Sequence, residues 1–370
     1  MLNNIFPTNP TMKTKTKSSR KTTPRRRPKR SRSPFAKPTT IFMTGGTGFI
    51  GTKLANALSE RGHKIRVLSR STSNTEGLNH PRITLVPGDI LDVASLKKAM
   101  KGCTQVYHLA AYPKNWSKDK SIYHTVNVEA MRNVFAAAKA NKVKKVVFTS
   151  SIVTLGPSRR GEVRTESQPR ITSKYYTDYE ETKHIAEREA MEMAKKGFPV
   201  VIVNPTRVYG PGKLTEGNSM TLLIDLYDRG KSPVLLNDGE NVGNYIFVND
   251  LVEGFILAME RGKVGEQYIL GGENASLKDV FAMIDHVSGK KHFTFNLPGG
   301  VALFYAGAQE FAAERFGIYP QITPPWIETF MQDWAYSSAK AQRELGLHIT
   351  PLKEGLRKTY EWLVEYRKSK

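Results

Sequence analysis

Ile41-Phe42-Met43-Thr44-Gly45-Gly46-Thr47-Gly48-Phe49-Ile50-Gly51 joins a short apolar run to three glycines spaced G-x-x-G-x-x-G, and an amphipathic segment begins at Thr52. A buried strand that passes into a helix through glycines leaves backbone N–H groups free at the helix N-terminus. Together with the helix dipole they favour a dinucleotide pyrophosphate. Gly45 permits the tight turn, Gly48 lets the backbone approach phosphate, and Gly51 lets helix and strand pack closely. A glycine triplet alone marks many βα turns; here the strand and helix that give it meaning flank it.

Outward from that stretch, β-rich runs alternate with helical ones. Strands are expected at 40–44, 64–68, 83–86, 105–109, 145–149 and 199–203, with helices at 49–61, 92–101, 120–141 and 180–196 between them. Alternating βαβ units predict a doubly wound α/β fold of Rossmann type, with a parallel sheet covered on both faces. The continuously apolar run Lys145-Val146-Val147-Phe148-Thr149 suits a central strand of such a sheet. After about residue 204 the loops lengthen, and helices are expected at 218–229, 249–261, 276–287, 300–316 and 351–368. We therefore expect residues 39–204 to form the nucleotide-binding domain. Residues 205–370 would form a smaller, mostly helical substrate lobe, with strands returning to the main sheet. Helix 300–316 carries Val301, Leu303, Phe304, Phe311 and Phe316. Its few charges are mixed in sign, which favours internal packing or an oligomer seam over a membrane surface.

The chain has 370 residues and a net charge of +22. Twelve of its 56 basic residues fall in residues 1–40, which hold no Asp or Glu. The remainder carries 44 basic against 34 acidic residues, a net of +10. The excess charge thus belongs to a Ser-, Thr- and Pro-rich segment, 1–38, expected to be a disordered tail. That tail reads as a solvated extension (or an upstream start, with Met12 as initiator), as an organelle transit peptide, or as a tether to nucleic acid or an anionic surface. No signal-peptide core and no run of 18 apolar residues is present, so neither secretion nor a membrane span is expected. The single cysteine, Cys103, excludes an internal disulfide and fits a reducing compartment. Cytoplasmic residence is expected, with an organelle as the alternative.

The residues that carry chemistry follow in order. Arg70 lies 19 residues beyond Gly51, where an acidic residue would bind the adenosine 2′-hydroxyl of NAD. An arginine there offers charge-assisted contacts to a 2′-phosphate and favours NADP over NAD. Asp89 of Gly88-Asp89-Ile90 follows the third strand; it is placed either to accept from the adenine amino group or to cap the next helix. His108-Leu109-Ala110-Ala111 ends the fourth strand, where small residues let a flat cofactor lie against the backbone, and His108 reads as a satisfied core histidine. Tyr179 and Lys183, at i and i+4, share one helix face. A free phenol titrates near ~10 and is a poor base at neutral pH, whereas a neighbouring ammonium would depress that value. Ser151, just past Phe148-Thr149-Ser150, can hydrogen-bond a substrate carbonyl beside the tyrosine. No metal site is expected.

At this point the sequence resembles the extended short-chain dehydrogenase/reductase family. The resemblance runs over about residues 39–368 through Thr44 to Gly51, Gly88-Asp89, His108 to Ala111, Asn127, Thr149-Ser150-Ser151, Tyr179 to Lys183 and Asn204-Pro205-Thr206-Arg207-Val208-Tyr209-Gly210-Pro211-Gly212. It continues through Tyr245 to Asp250 and Tyr268 to Glu273. The runs Thr149 to Gly156 and Leu270 to Leu277 look most like the hopanoid-associated sugar epimerase group, which is itself similar to dihydroflavonol 4-reductases. The resemblance implies that Tyr179 passes a proton to or from the substrate oxygen while hydride moves to or from the nicotinamide. Ser151 would polarise that oxygen. Lys183 would bind the nicotinamide ribose and tune Tyr179, and Asn127 would position the lysine and local backbone. Pro205, Thr206 and Val208 would contact the nicotinamide carboxamide, and Thr47, Phe49 and Ile50 the pyrophosphate. Family epimerases that act on nucleotide sugars usually carry an arginine where this chain has Gly243. A diphosphate buried without that cation is costly, which weakens a sugar-nucleotide substrate. Tyr112 and Trp116, with Tyr175, Tyr176 and Tyr245, are the candidates for an aromatic, apolar substrate pocket. The expected protein is an oxidoreductase that interconverts a secondary alcohol and a ketone on a small apolar or cyclic substrate, acting as a homodimer. A sugar or sugar-nucleotide epimerase with tightly bound NAD is the alternative, and a non-catalytic NAD(P)-sensing protein is a further one.

Overall fold

The glycine stretch lies where the strand order of the main sheet reverses. In the computed structural model, which describes residues 38–231 and 234–369, β1 (Thr40–Thr44) runs into α1 (Phe49–Glu60), β2 (Lys64–Ser69), β3 (Ile83–Pro87), α2 (Val93–Ala99) and β4 (Gln105–His108). There follow α3 (Ser121–His124), a π turn at Thr125–Glu129, α4 (Ala130–Ala140), β5 (Lys145–Thr149), α5 (Asp178–Lys195) and β6 (Val200–Pro205). The 1–38 tail lies outside the described residues, apart from Pro38.

The chain next forms β7 (Arg207–Tyr209), α6 (Ser219–Asp228), β8 (Val234–Leu236), β9 (Val242–Phe247), α7 (Val248–Arg261) and β10 (Gln267–Leu270). It ends with β11 (Glu273–Ser276), α8 (Leu277–Ser288), β12 (Phe295–Leu297), α9 (Gly299–Phe316), α10 (Pro324–Phe330) and α11 (Leu352–Lys368). The main sheet has seven strands in the order β10-β6-β5-β4-β1-β2-β3, every pair parallel. From β1 the chain winds outward to β2 and β3, then crosses back to β4 and outward to β5 and β6. The crevice beyond the carboxyl ends of β1 and β4 is therefore the topological switch point, where open α/β sheets bind ligands.

Alternation along β1 explains the two apolar layers. Ile41 and Met43 face a core shared with Leu54 and Leu58 of α1 and Leu251 and Phe255 of α7. Phe42 faces the opposite core, with Leu96 of α2, Val134 and Phe135 of α4, and Ala186 and Ala190 of α5. All six residues of β6 are buried, as a doubly covered strand requires. Beyond β6, α6, α8 and α11 pack around Ile224, Phe281, Leu356 and Leu363. A three-stranded sheet, β11-β9-β7, and the pair β12-β8 also lie beyond β6, so this part of the chain is less helical than the sequence suggests. These strands run three to six residues, too short for a period of two to show against the helical background.

Two expected helices differ from the structure. The single helix 120–141 is interrupted by the π turn at Thr125–Glu129. Helix α9 does not bury its aromatic side. Ala302 and Ala306 pack with Ile327 and Met331, and Ala313 is buried, whereas Val301, Phe304, Tyr305, Phe311 and Phe316 are 53–80% exposed. Internal packing therefore accounts for the alanine face alone. Among the described residues no helix is long and apolar enough to cross a membrane.

Candidate active site

The turn after β1 is built as a cradle. Gly45 has φ +71°, and a Cβ there would sit 2.6 Å from the Ala110 nitrogen in the loop after β4. A Cβ on Gly51 would come within 2.1 Å of the Gly45 carbonyl oxygen, so α1 and the turn pack closer than any other residue permits. Gly48 starts α1 and supplies no side-chain cap, which leaves the first-turn N–H groups available to an anion. Phe49 is 4% exposed, so it can serve a ligand only through its backbone. Ile50 packs against the α1 core. The Thr47 carbonyl accepts from the Lys213 ammonium at 3.0 Å, a bracket across the turn that sequence reasoning missed.

Around this cradle, Arg70 follows β2 with its side chain exposed; its backbone N–H donates to the Ser73 hydroxyl at 3.0 Å. The two alternatives for Asp89 are resolved on one side. Asp92, not Asp89, caps α2, accepting from the Ala94 and Ser95 nitrogens, while Asp89 accepts from the Leu91 nitrogen in a local turn. Ile90 packs on the α4 side of the core. Leu109 and Ala110 hang from Thr44, through its carbonyl at 3.1 Å and its hydroxyl at 3.3 Å, and Ala111 continues that loop half-buried. His108 is half satisfied rather than fully so. Its Nδ1 meets the Thr44 hydroxyl at 2.6 Å, but its buried Nε2 has no partner among the described residues. Burial, aided by the Lys183 charge, brings its pKa down to about 3 and keeps the ring neutral.

Ser151, Tyr179 and Lys183 converge on the carboxyl ends of β4 and β5. Ser151 caps a 3₁₀ turn at Ile152–Leu155, and its hydroxyl sits near enough to Tyr179 to oppose the rise of the phenol's pKa. Tyr179 and Lys183 lie on α5, whose N-terminus is capped by Thr177. Lys183 is 1% exposed; its Nζ donates to the Thr149 carbonyl at 2.7 Å and lies 4.7 Å from the Phe148 ring centroid. Burial lowers its pKa to about 8. The expectation that Lys183 depresses Tyr179 is corrected here. Burial raises the Tyr179 pKa, the opposing influence is Ser151, and the lysine ammonium turns one of its three donors to the Thr149 carbonyl. Asn127 sits in the π turn, 1% exposed. It accepts from the Tyr112 nitrogen at 2.8 Å and donates to the Thr182 hydroxyl at 3.0 Å, tying the loop after β4 to the helix that bears Tyr179 and Lys183.

Sequence reasoning missed the brace behind Ser151. The Asn204 amide, at the end of β6, donates to the Ser151 carbonyl at 2.9 Å and to Glu187 Oε2 at 2.6 Å, and Glu187 also accepts from Thr154 at 2.9 Å. Asn204 stood in the resembling run without a role, and Glu187 carries no motif signal. Pro205 and Thr206 follow in the same edge, with Val208 half-buried against the α7 core. The hydroxyls of Thr149 and Thr206 are buried without partners among the described residues. Free helix N–H groups, a glycine turn that admits no Cβ, and orphaned polar atoms along one crevice fit a dinucleotide carrying phosphates, ribose hydroxyls and a carboxamide.

The aromatic candidates do not all meet. Trp116 and Tyr176 line a pocket of about 110 Å³ with Tyr123, Thr177 and Thr323, beside the start of α5. Tyr112 packs edge-on against Tyr123. Tyr175 instead turns to His184 and the Arg170 guanidinium and lines a separate open cleft. Tyr245, on β9, is 2% exposed, its hydroxyl accepting from Arg207 at 3.2 Å. The cation judged absent at Gly243 is supplied from the neighbouring strand. A Cβ on Gly243 would lie 2.4 Å from Arg207 Nη1, so the Arg207 guanidinium occupies that space. Among the described residues, no group of His, Cys, Asp and Glu could hold a metal ion.

A switch-point cradle beside Ser151, Tyr179 and Lys183 defines a nucleotide-dependent enzyme of the extended short-chain dehydrogenase/reductase class. The chain belongs to the NAD dependent epimerase/dehydratase family, whose model matches residues 41–271. It is 32% identical to a putative dihydroflavonol 4-reductase of Synechocystis sp. over 87% of this chain and 94% of that protein. It is 27% identical to sterol demethylase protein B of Methylococcus capsulatus, over 88% and 98% of the two chains. The crystal structure of gox2253 matches it with a TM-score of 0.76 at 33% identity, over 89% of this chain and 98% of that one.

Proposed function

We propose that the protein is an NAD(P)-dependent oxidoreductase that interconverts a secondary alcohol and a ketone on an apolar or cyclic small molecule. The observation that carries this is the juxtaposition of Ser151 with Tyr179, set on a helix whose Lys183 is locked to the end of β5. When bound, the nicotinamide supplies the hydride donor or acceptor. Tyr179, held as a phenol by burial, gives its proton to the carbonyl oxygen during reduction, and Ser151 donates a second hydrogen bond to that oxygen. Lys183 keeps a positive charge behind the ribose, and Asn127 fixes the two backbone segments that set the distance between them. Trp116 and Tyr176 offer a cyclic ketone two aromatic walls, in a pocket that Lys114, Lys120, Asp178 and Glu310 make otherwise polar.

Arg70 supports NADP as the preferred cofactor. Arg70→Ala is expected to raise the Kd for NADP about tenfold while leaving that for NAD unchanged, since an exposed charge-assisted contact is worth about 1.5 kcal/mol. Titration of both dinucleotides into both proteins checks this; equal losses for the two cofactors would overturn it.

The epimerase reading keeps one specific support, the Arg207 cation beside Gly243. The two readings part over the cofactor, because an epimerase regenerates it in each cycle and a reductase consumes it. Native mass spectrometry of the full chain reports bound cofactor and subunit number together. Protein purified with stoichiometric NAD would sink the reductase, and cofactor-free protein that turns over added NADPH would support it. The same spectrum tests the homodimer that this reading carries.

A further inference from the structure

Arg207 is a half-buried guanidinium with no carboxylate partner among the described residues. Its contacts are the Tyr245 hydroxyl at 3.2 Å, the Tyr245 ring at 5.7 Å and the Phe330 ring at 5.3 Å. The more deeply buried arginines are neutralised, Arg164 lying 3.8 Å from Glu162 and Arg170 2.8 Å from Glu180, whereas half-buried Arg66 spends its donors on the Ala99 and Lys101 carbonyls. Charge withdrawn from water without a counter-charge is costly, and the aromatic walls that hold it also strengthen its pull on any anion that arrives. The neighbouring strand is cut back to make room, since a Cβ on Gly243 would press on Nη1.

The position is informative. Arg207 opens β7 two residues after Pro205, and Asn204 of the same edge holds the Ser151 carbonyl at 2.9 Å. Three residues of chain hold the Arg207 Cα within about 10 Å of the Asn204 Cα, so the strand that carries the guanidinium starts beside the residue that braces Ser151. The Tyr245 hydroxyl takes one N–H of the fork and fixes its plane, and the remaining donors are free to pair with two oxygens at once.

We propose that Arg207 is the receptor for a carboxylate carried by the substrate, with Tyr245 as its positioning residue. The fork matches a carboxylate in shape and its single charge in magnitude. This rests on the oxidoreductase reading, since it orients a hydroxy acid or keto acid so that its carbinol or carbonyl carbon faces Tyr179. A phosphate ester offers related oxygens with more charge and is the competing source.

The test uses the full chain with saturating NADP. The probes are 2-hydroxycyclohexanecarboxylate, its methyl ester and cyclohexyl phosphate. Binding is followed by saturation-transfer NMR and turnover by absorbance of the reduced cofactor. The acid is expected to bind at least about tenfold more tightly than the ester. Arg207→Gln should bring the acid down to the ester's affinity, Arg207→Lys should keep part of the preference, and Tyr245→Phe should raise the KM for the acid a few-fold more than it lowers kcat. Equal or undetectable binding of acid and ester, or an Arg207→Gln protein that binds the acid as tightly as the native one, overturns the proposal. Tight binding of the phosphate with none of the acid overturns the carboxylate assignment. Failure of the underlying reading looks different. Acid bound through Arg207 with no turnover in the native protein would sink the oxidoreductase and leave the subsite standing, whereas equal turnover of acid and ester would do the reverse.

Discussion

Tyr179→Phe is expected to lower turnover by about 10² to 10⁴-fold, the usual contribution of a positioned proton donor, while binding cofactor as the native chain does. The ring stays and only the hydroxyl beside Ser151 is lost. Packing on α5 is untouched, so the thermal midpoint should move by no more than a degree or two. Because burial holds the Tyr179 pKa above its ordinary value, the native residue is protonated throughout the neutral range and ready to donate. Reduction should therefore show no acidic limb from this group. Ketone reduction by the purified variant, with cofactor titration alongside, measures both parts. A variant that keeps more than a tenth of native turnover would remove Tyr179 from the chemistry.

Lys183→Met is the second large effect, and its two halves point in opposite directions. Activity should fall by about 10²-fold or more, because the charge behind the ribose is lost. Stability at neutral pH should change little. The folded pKa is about 8 against 10.5 for the free group, and burial is the cause. Between those values the unfolded chain binds the proton more readily, so the native protein gains stability as pH rises from about 8 to 10.5. Below 8 both states are charged and the burial penalty stands in full. Methionine removes that penalty of a few kcal/mol, but leaves the Thr149 carbonyl unpaired at a cost of ~1–3 kcal/mol. The two should nearly offset. Thermal melts from pH 6 to 10 should show a rise above pH 8 in the native chain and a flatter curve in the variant. A native melt that falls steadily from pH 8 to 10 would show that Lys183 is not held as described. In the free enzyme kcat/KM should decline above about pH 8, as the ammonium is lost.

The main sheet was legible because its signals are local. The apolar run before Gly45, the glycine spacing and the alternation through residue 203 each leave a mark within a dozen residues. The pair Tyr179 and Lys183 was legible for the same reason, one helical turn apart. What escaped depends on contacts remote in sequence. Arg207 fills the space beside Gly243 from another strand, so reading position 243 alone suggested a missing cation that the fold in fact provides. The Glu187–Asn204–Ser151 brace joins three elements, and none of its members stands out in sequence. Tyr175 was grouped with Tyr176 by adjacency, yet consecutive residues ahead of a helix face different ways, and the two line different clefts. Lys183 was read as acting on Tyr179 because the two are neighbours on a helix; the Thr149 carbonyl, 34 residues away, claims one of its three donors instead.

The π turn at Thr125–Glu129 has a consequence for how this helix tolerates length. A π turn holds one residue more than an α turn, so the segments on either side of Asn127 are out of phase by about 100°. Upstream, Tyr123 keeps its contact with Tyr112; downstream, Met131, Val134 and Phe135 keep their seats in the core. Removing a single residue from 125–129 would restore an ordinary helix and force a choice between the two. Such a deletion would either rotate the core face of α4 toward water or swing Asn127 away from Tyr112 and Thr182. At this one place the chain is sensitive to the number of its residues as much as to their kind.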